Sequence, residues 1–260
     1  MNRLGNVFAG KKAFIPFITA GDPSISVTER LIISMAEAGA DLIEIGIPFS
    51  DPVAEGKAIQ DANVRALAGG TTTDGVFSMV RRVREKCGVP LAFMTYANPI
   101  FAYGTDKFML NCREASVDAI IVPDLPFEEK GELKPACDKY GIALISMVAP
   151  TSAGRIRMIV SEAEGFIYCV SSMGVTGVRE QIGSFAEDIV KLVKEVKNIP
   201  CAVGFGISTP AQAAEAAVYA DGVIVGSAIV EIVGQHGEKC VPYVAEYVRK
   251  MKEAVSGRNT

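Results

Sequence analysis

One histidine, no tryptophan and no Cys-x-x-Cys pair occur in the 260 residues. Serine and cysteine triads and most zinc sites need a well-placed imidazole, so a chain with only His236 has no histidine to spare for either, and no metal site is expected. His236 lies in the polar stretch Gly234-Gln-His-Gly-Glu-Lys239 and reads as a solvated loop residue. Acid–base work therefore falls to carboxylates, tyrosine or lysine. A basic excess is missing too: 26 Lys plus Arg face 30 Asp plus Glu, and that balance lacks the footprint a nucleic-acid partner demands. No apolar run approaches the roughly 20 residues of a membrane span. The run Ala13 to Ala20 that follows Lys11-Lys12 contains Pro16 and leads into a turn, which argues against a targeting leader. The cysteines at 87, 112, 137, 169, 201 and 240 are scattered, several inside apolar runs, as buried free thiols of a reducing compartment would be. The expectation is a cytoplasmic globular protein with no membrane association.

What the chain does have is a recurring alternation. Short β-rich runs appear at Ala13 to Ile18, Leu42 to Ile45, Leu91 to Thr95, Ala119 to Val122, Ala143 to Val148, Phe166 to Val170, Cys201 to Val203 and Val223 to Val225. They are too apolar to be solvated on one face, which fits parallel strands covered by helices. Between them lie helical patterns. Ser24 caps one in which Val27, Leu31, Met35 and Ala38 share a face, and Val244, Val248, Met251 and Val255 do the same near the C-terminus. Thr209-Pro210 is a cap followed by proline at the first helical position. Three joints, Gly39-Ala-Asp41, Ser116-Val-Asp118 and Tyr219-Ala-Asp221, each place an aspartate just before an apolar strand. About eight βα units in this length predict a single (β/α)8 TIM barrel over 1–260, with a doubly wound open sheet as the alternative and a frayed tail at 256–260.

In such a barrel, chemistry sits at the C-terminal ends of the strands, and phosphate sits where the last loops present backbone N–H groups. Glycines recur there as Gly174-Val-Thr-Gly177, Gly204-Phe-Gly206 and Gly226-Ser227. The Gly204 segment lacks a third glycine, so no nicotinamide site is inferred. Glu44 is the sharpest residue, a carboxylate in the apolar strand Asp41-Leu-Ile-Glu-Ile-Gly46 with no solvated face to occupy. Burial without a partner raises a carboxyl pKa and suits a group that donates and accepts protons near neutrality, whereas a Lys or Arg partner would make it structural. The irregular, charged stretch from Ile47 to Gln60 reads as a loop over the barrel mouth.

Glu44-Ile-Gly-Ile-Pro-Phe-Ser-Asp-Pro52, together with Pro16-Phe-Ile-Thr-Ala-Gly-Asp-Pro23, Tyr96-Ala-Asn98, Gly174-Val-Thr-Gly177, Gly204-Phe-Gly-Ile-Ser208 and Gly226-Ser-Ala-Ile229, resembles the tryptophan synthase alpha subunit family, in order over nearly the whole chain. The resemblance implies a lyase that cleaves indole-3-glycerol phosphate to indole and glyceraldehyde 3-phosphate by a retro-aldol reaction, without a cofactor of its own. It implies Glu44 as the principal acid–base residue, Glu55 as the group facing the indole N–H, and Tyr168 as a residue of the site. It further implies phosphate held by Gly177, Gly206, Gly226 and Ser227, and a pocket walled by Phe17, Ile59, Thr176 and Phe205. Gly174 and Gly177 would hinge a lid. Two departures stand near the chemistry: Glu55 where the family usually has aspartate, and Lys57, a cation near the site where proline is common. The implied partner is a pyridoxal-phosphate beta subunit in an alpha2beta2 heterotetramer, contacted through the 47 to 60 loop and the segment around Asn98-Pro99. A weakly active barrel that activates such a subunit, a stand-alone indole-releasing lyase and another phosphate-binding barrel such as a sugar-phosphate isomerase are the alternatives.

Overall fold

The computed structural model describes residues 3–170, 179–204 and 206–257. Nine strands form one parallel sheet: β1 Ala13–Thr19, β2 Ile43–Gly46, β3 Leu91–Met94, β4 Ala119–Ile121, β5 Ala143–Leu144, β6 Ser146–Val148, β7 Ile167–Val170, β8 Cys201–Gly204 and β9 Gly222–Val225. Their order is β5-β4-β3-β2-β1-β9-β8-β7-β6, so β1 is hydrogen-bonded to β2 on one side and to β9 on the other. That adjacency of first and last strands excludes the open doubly wound sheet. The sheet's two ends, β5 and β6, are separated in the chain by Ile145 alone, and the circle closes there into a TIM barrel.

The predicted strand from Ala143 to Val148 is therefore two. β5 pairs with β4 and β6 with β7, and the break lies where the chain exchanges one neighbour for the other.

Helices cover the outside: α1 Ile25–Glu37, α2 Lys57–Ala68, α3 Thr73–Arg84, α4 Ala97–Tyr103, α5 Thr105–Glu114, α6 Lys134–Tyr140, α7 Ala153–Ser161, α8 Arg179–Val196, α9 Pro210–Tyr219, α10 Ser227–His236 and α11 Val241–Val255. Ser24 caps α1 by accepting the Val27 N–H, and α1 buries Val27, Leu31 and Met35 as its spacing requires. Thr209 and Gln212 form a reciprocal capping box on α9. His236 is not in a loop. It ends α10, where its ring stacks on Tyr243 at 3.7 Å between centroids, because the helical pattern of Ile229, Val230 and Val233 carries the polar Gly-Gln-His along as its last turn.

Strand alternation divides the core in two. Phe14, Ile18, Ile43, Ile45, Phe93 and Val203 face outward against the helices. Ile15, Leu42, Ala92, Ile121, Phe166 and Ile224 face inward, and Leu4 and Val7 from the N-terminal segment join them.

The three joint aspartates have one job at this end. Asp41 Oδ2 accepts the Phe14 N–H at 2.8 Å, Asp118 Oδ2 the Leu91 N–H at 2.9 Å and Asp221 Oδ2 the Cys201 N–H at 2.8 Å. Each carboxylate thus ties the start of its own strand to the start of the preceding one. Cations hold each in turn: Lys11 and Lys252 on Asp41, Arg3 and Arg84 on Asp118, Lys194 on Asp221. The C-terminal ends of the strands, where barrels carry their chemistry, lie at the opposite end.

Candidate active site

Glu44 sits on the inner face of β2, two residues after the inward-facing Leu42 and in register with Phe17 of β1 and Ala92 of β3. It is 0% exposed, and neither carboxyl oxygen has a hydrogen-bond partner among the described residues. The structural alternative, an ion pair with Lys or Arg, is thus not what surrounds it. Burial alone drives its pKa up from the usual carboxylate range to about 8. Such a group is mostly protonated at neutrality yet close enough to ionisation to return a proton.

Tyr168, on the inner face of β7, lies near it. Its phenol is pushed well above the ordinary tyrosine range, chiefly by burial and then by the Glu44 charge. Two inward glycines make room for aromatic rings at this rim. A Cβ at Gly204 would stand 2.9 Å from the Tyr168 hydroxyl, and one at Gly46 would stand 2.6 Å from the Phe17 ring. The sequence reading named Gly204 only as part of a candidate anion loop and gave neither glycine this role. Their signal was the period-2 spacing, since each lies two residues beyond an inward-facing residue.

Phe17 packs with Ala62, Val230, Ile59 and Met94, so two of the expected wall residues, Phe17 and Ile59, meet in one cluster. Ile59 reaches it from a helix. The loop expected over 47–60 ends at Gly56, and residues 57–60 form the first turn of α2, because Ile59, Ala62 and Ala66 give that stretch an apolar face. Lys57 correspondingly lies on a helix: its side chain is 83% exposed and pairs with Asp61 at 2.5 Å, one turn along. It occupies the first helical position, where a proline would also fit.

Glu55 is held by residues that the sequence reading did not single out. Asn63, buried on α2, donates from Nδ2 to Glu55 Oε2 at 2.6 Å, and Gln60 donates to the Glu55 carbonyl at 2.8 Å. Burial raises the Glu55 pKa, while the Tyr96 hydroxyl and the Asn63 amide favour the ionised form. Tyr96 is pushed upward itself, first by burial. Its hydroxyl accepts the Ala54 N–H at 3.2 Å and its ring lies 5.5 Å from that of Phe49, so Tyr96 organises the loop at both ends. Asn63 had a legible signal: a polar residue between Ala62 and Ala66 on the apolar stripe.

At the far rim, Gly206 has φ +68°, a conformation that disfavours any Cβ. Gly226 precedes α10, whose first turn begins at Ser227 with no side-chain cap. α9 differs, since Oε1 of the Gln212 side chain already accepts from the N–H groups of Ser208 and Thr209. Of these two neighbouring helix starts, α10 is the one that no side chain caps among the described residues, which leaves its start open to an anion. Gly174, Thr176, Gly177 and Phe205 lie outside the described residues. Among the described residues, no cluster of three or more His, Cys, Asp or Glu side chains has metal-binding geometry, and no helix is long and apolar enough to cross a membrane.

A family model described as tryptophan synthase alpha chain matches residues 6–256. The tryptophan synthase alpha chain of Lacticaseibacillus casei is 43% identical over 99% of this chain and 97% of its own length, and that of Lactiplantibacillus plantarum is 46% identical over 99% and 98%. Among solved structures, tryptophan synthase subunit alpha from Legionella pneumophila superposes with a TM-score of 0.90 at 36% identity, covering 99% of both chains. A chain of Mycobacterium tuberculosis tryptophan synthase gives 0.90 at 33% identity over 98% of each.

Proposed function

The chain belongs to the tryptophan synthase alpha chain family, and on that premise we propose that Glu44, Glu55 and Tyr168 are the side chains with which it works. The reaction is the alpha reaction of tryptophan biosynthesis, carbon–carbon cleavage of indole-3-glycerol phosphate. The protonated Glu44 carboxyl delivers its proton to the indole carbon that bears the glycerol chain, which interrupts the aromatic system. Glu55, as a carboxylate, accepts the indole N–H and stabilises the positive charge that develops on the ring. The bond to the glycerol carbon then breaks, its electron pair restores the indole, and the adjacent hydroxyl loses a proton to become the aldehyde of glyceraldehyde 3-phosphate. Glu44, ionised by the first step, takes that proton and is regenerated. Tyr168 borders the reacting carbons, and Phe17 and Ile59 form the apolar wall, with Thr176 and Phe205 completing it.

The backbone N–H groups of Gly206, Gly226 and Ser227, with Gly177, receive the phosphate. The uncapped start of α10 supports this. No cofactor is required of this chain. Membership of the family implies a beta-subunit partner; an alpha2beta2 heterotetramer in the cytoplasm, with pyridoxal phosphate on the beta side, is the assembly we propose. Val53 in the 47–56 loop, 77% exposed, and Phe101 in α4, 46% exposed, offer apolar contact beside Asn98 and Pro99.

The observation that carries the proposal is Glu44, fully buried on the inner face, its two carboxyl oxygens without a partner among the described residues and its pKa raised to about 8. The test is release of indole from indole-3-glycerol phosphate by the purified chain, with and without a saturating beta subunit. Cleavage that rises on adding the partner is expected. No indole under either condition from a folded chain would overturn the assignment.

A further inference from the structure

Thr19 shares with Glu44 an unusual condition. Its Oγ1 is buried and has no hydrogen-bond partner among the described residues, as neither Glu44 oxygen does. Thr19 ends β1 and is 3% exposed. Its neighbours Ile18 and Ala20 face the outer core, so Thr19 lies on the inner face. It stands two residues beyond Phe17, the strand partner of Glu44. Directly opposite it in the β2 register is Gly46, which offers no side chain to answer the hydroxyl. Buried polar groups in native proteins are almost always paired, and the exceptions call for a reason. Here two of them stand at the C-terminal ends of adjacent strands, where a barrel binds its substrate.

We propose that Thr19 is a substrate-binding residue whose hydroxyl, beside the Glu44 carboxyl, pairs with a hydroxyl of the substrate's glycerol chain. A threonine hydroxyl both donates and accepts, and an alcohol matches both capacities. The inference rests on the reading of this mouth as the lyase site, and it assigns the glycerol portion of the ligand to β1 and β2.

Thr95 supplies an internal control. Its Oγ1 is likewise buried and has no hydrogen-bond partner among the described residues. Thr95 continues the β3 ladder, donating its N–H to the Ile121 carbonyl, and alternation from the inward Ala92 and Met94 turns its side chain to the outer face.

The experiment compares Thr19→Val, Thr19→Ser and Thr95→Val in the full chain, by indole release and by thermal unfolding. Calorimetric binding of indole-3-glycerol phosphate is measured in a Glu44→Gln background. Thr19→Val should lower kcat/KM about tenfold and weaken binding by a similar factor. Thr19→Ser should recover most of both, and Thr95→Val should change neither. Because the Thr19 hydroxyl has no partner among the described residues, Thr19→Val should melt at or above the parent temperature. Unchanged affinity and turnover in Thr19→Val would overturn the proposal, as would a loss accompanied by a lowered melting temperature that Thr19→Ser does not repair. A parent chain that binds the substrate without cleaving it would instead sink the lyase reading and leave the Thr19 contact to be judged by affinity.

Discussion

Nδ2 of Asn63 donates to Oε2 of Glu55 at 2.6 Å, and that bond joins the second turn of α2 to the loop over the barrel mouth. Glu55 is the residue at which the resemblance leads one to expect an aspartate, one methylene shorter. The structure shows what the extra length reaches: the carboxyl is seated on the buried amide of Asn63, with Tyr96 favouring its charge.

The shorter side chain should therefore be worse here. Glu55→Asp draws the carboxylate back from Asn63, and a misplacement of about 1 Å can cost roughly a hundredfold in rate. The expected outcome is a drop in kcat of ten- to a hundredfold, by about those factors, with KM little changed. Asn63→Ala should reproduce much of the loss, and the double variant should fall less than the product of the singles because both act through one contact. A rate gain in Glu55→Asp, read by indole release, would show instead that Glu55 is out of place.

The proton that Glu44 is proposed to transfer also bears on stability. Its pKa is near 4.5 in the unfolded chain and about 8 in the fold, so the folded state binds the extra proton between those values. Folding is unpenalised below pH 4.5, loses stability as pH rises through the window, and carries the full cost of a buried carboxylate above about pH 8. Glu44→Gln removes the titration. It should abolish cleavage while retaining substrate binding, and in urea titrations it should gain on the parent from pH 5 to pH 9, the gain levelling above about pH 8. A parallel pH dependence in parent and variant would assign the shift to another group.

The strands, the Ser24 and Thr209 caps and the depth of Glu44 were legible because each depends on local chemistry: apolar runs, a capping hydroxyl, a charge with no solvated face. Thr19 was not, and although Asn63 and Gly46 stand at positions with a readable signal, their roles were not legible either, since those depend on what another strand or helix places opposite them. His236 misled for a related reason. A polar tripeptide looks like a loop until the apolar residues preceding it are seen to carry the helix through. Gly56 concealed the start of α2 in the same way, because it caps with backbone alone and leaves no side-chain signal.

Asp118 concentrates the tension of the opposite end of the barrel. It accepts from Arg84 at 2.8 Å, from Arg3 at 2.9 Å and from the Leu91 N–H at 2.9 Å, and both its own side chain and that of Arg84 are largely buried. Asp118→Asn leaves two guanidinium groups facing a neutral amide. Breaking a buried pair from one side costs about 3–5 kcal/mol, and because Arg3 is partly exposed the lower end is expected. Urea unfolding should show that loss, while kcat/KM measured well below the melting temperature stays at the parent value. A substantial fall in kcat/KM would mean that the two ends of the barrel are coupled.

Gly206 separates strain from charge at the proposed phosphate end. Its φ of +68° disfavours any side chain, although a Cβ built there meets nothing within 4 Å. Gly206→Ala should thus destabilise only by the backbone term, about 1–2 kcal/mol, and raise KM for the phosphorylated substrate through a slight shift of the loop. Gly206→Asp brings the same backbone penalty, softened because aspartate tolerates the left-handed region better, and adds a negative charge where an anion is to bind. If phosphate sits here, KM rises more in the aspartate variant than in the alanine variant, the difference shrinks at high ionic strength, and a phosphate-free analogue is indifferent to the choice. Equal KM values for the two variants would mean that charge is not sensed at this glycine and would move the phosphate away from it.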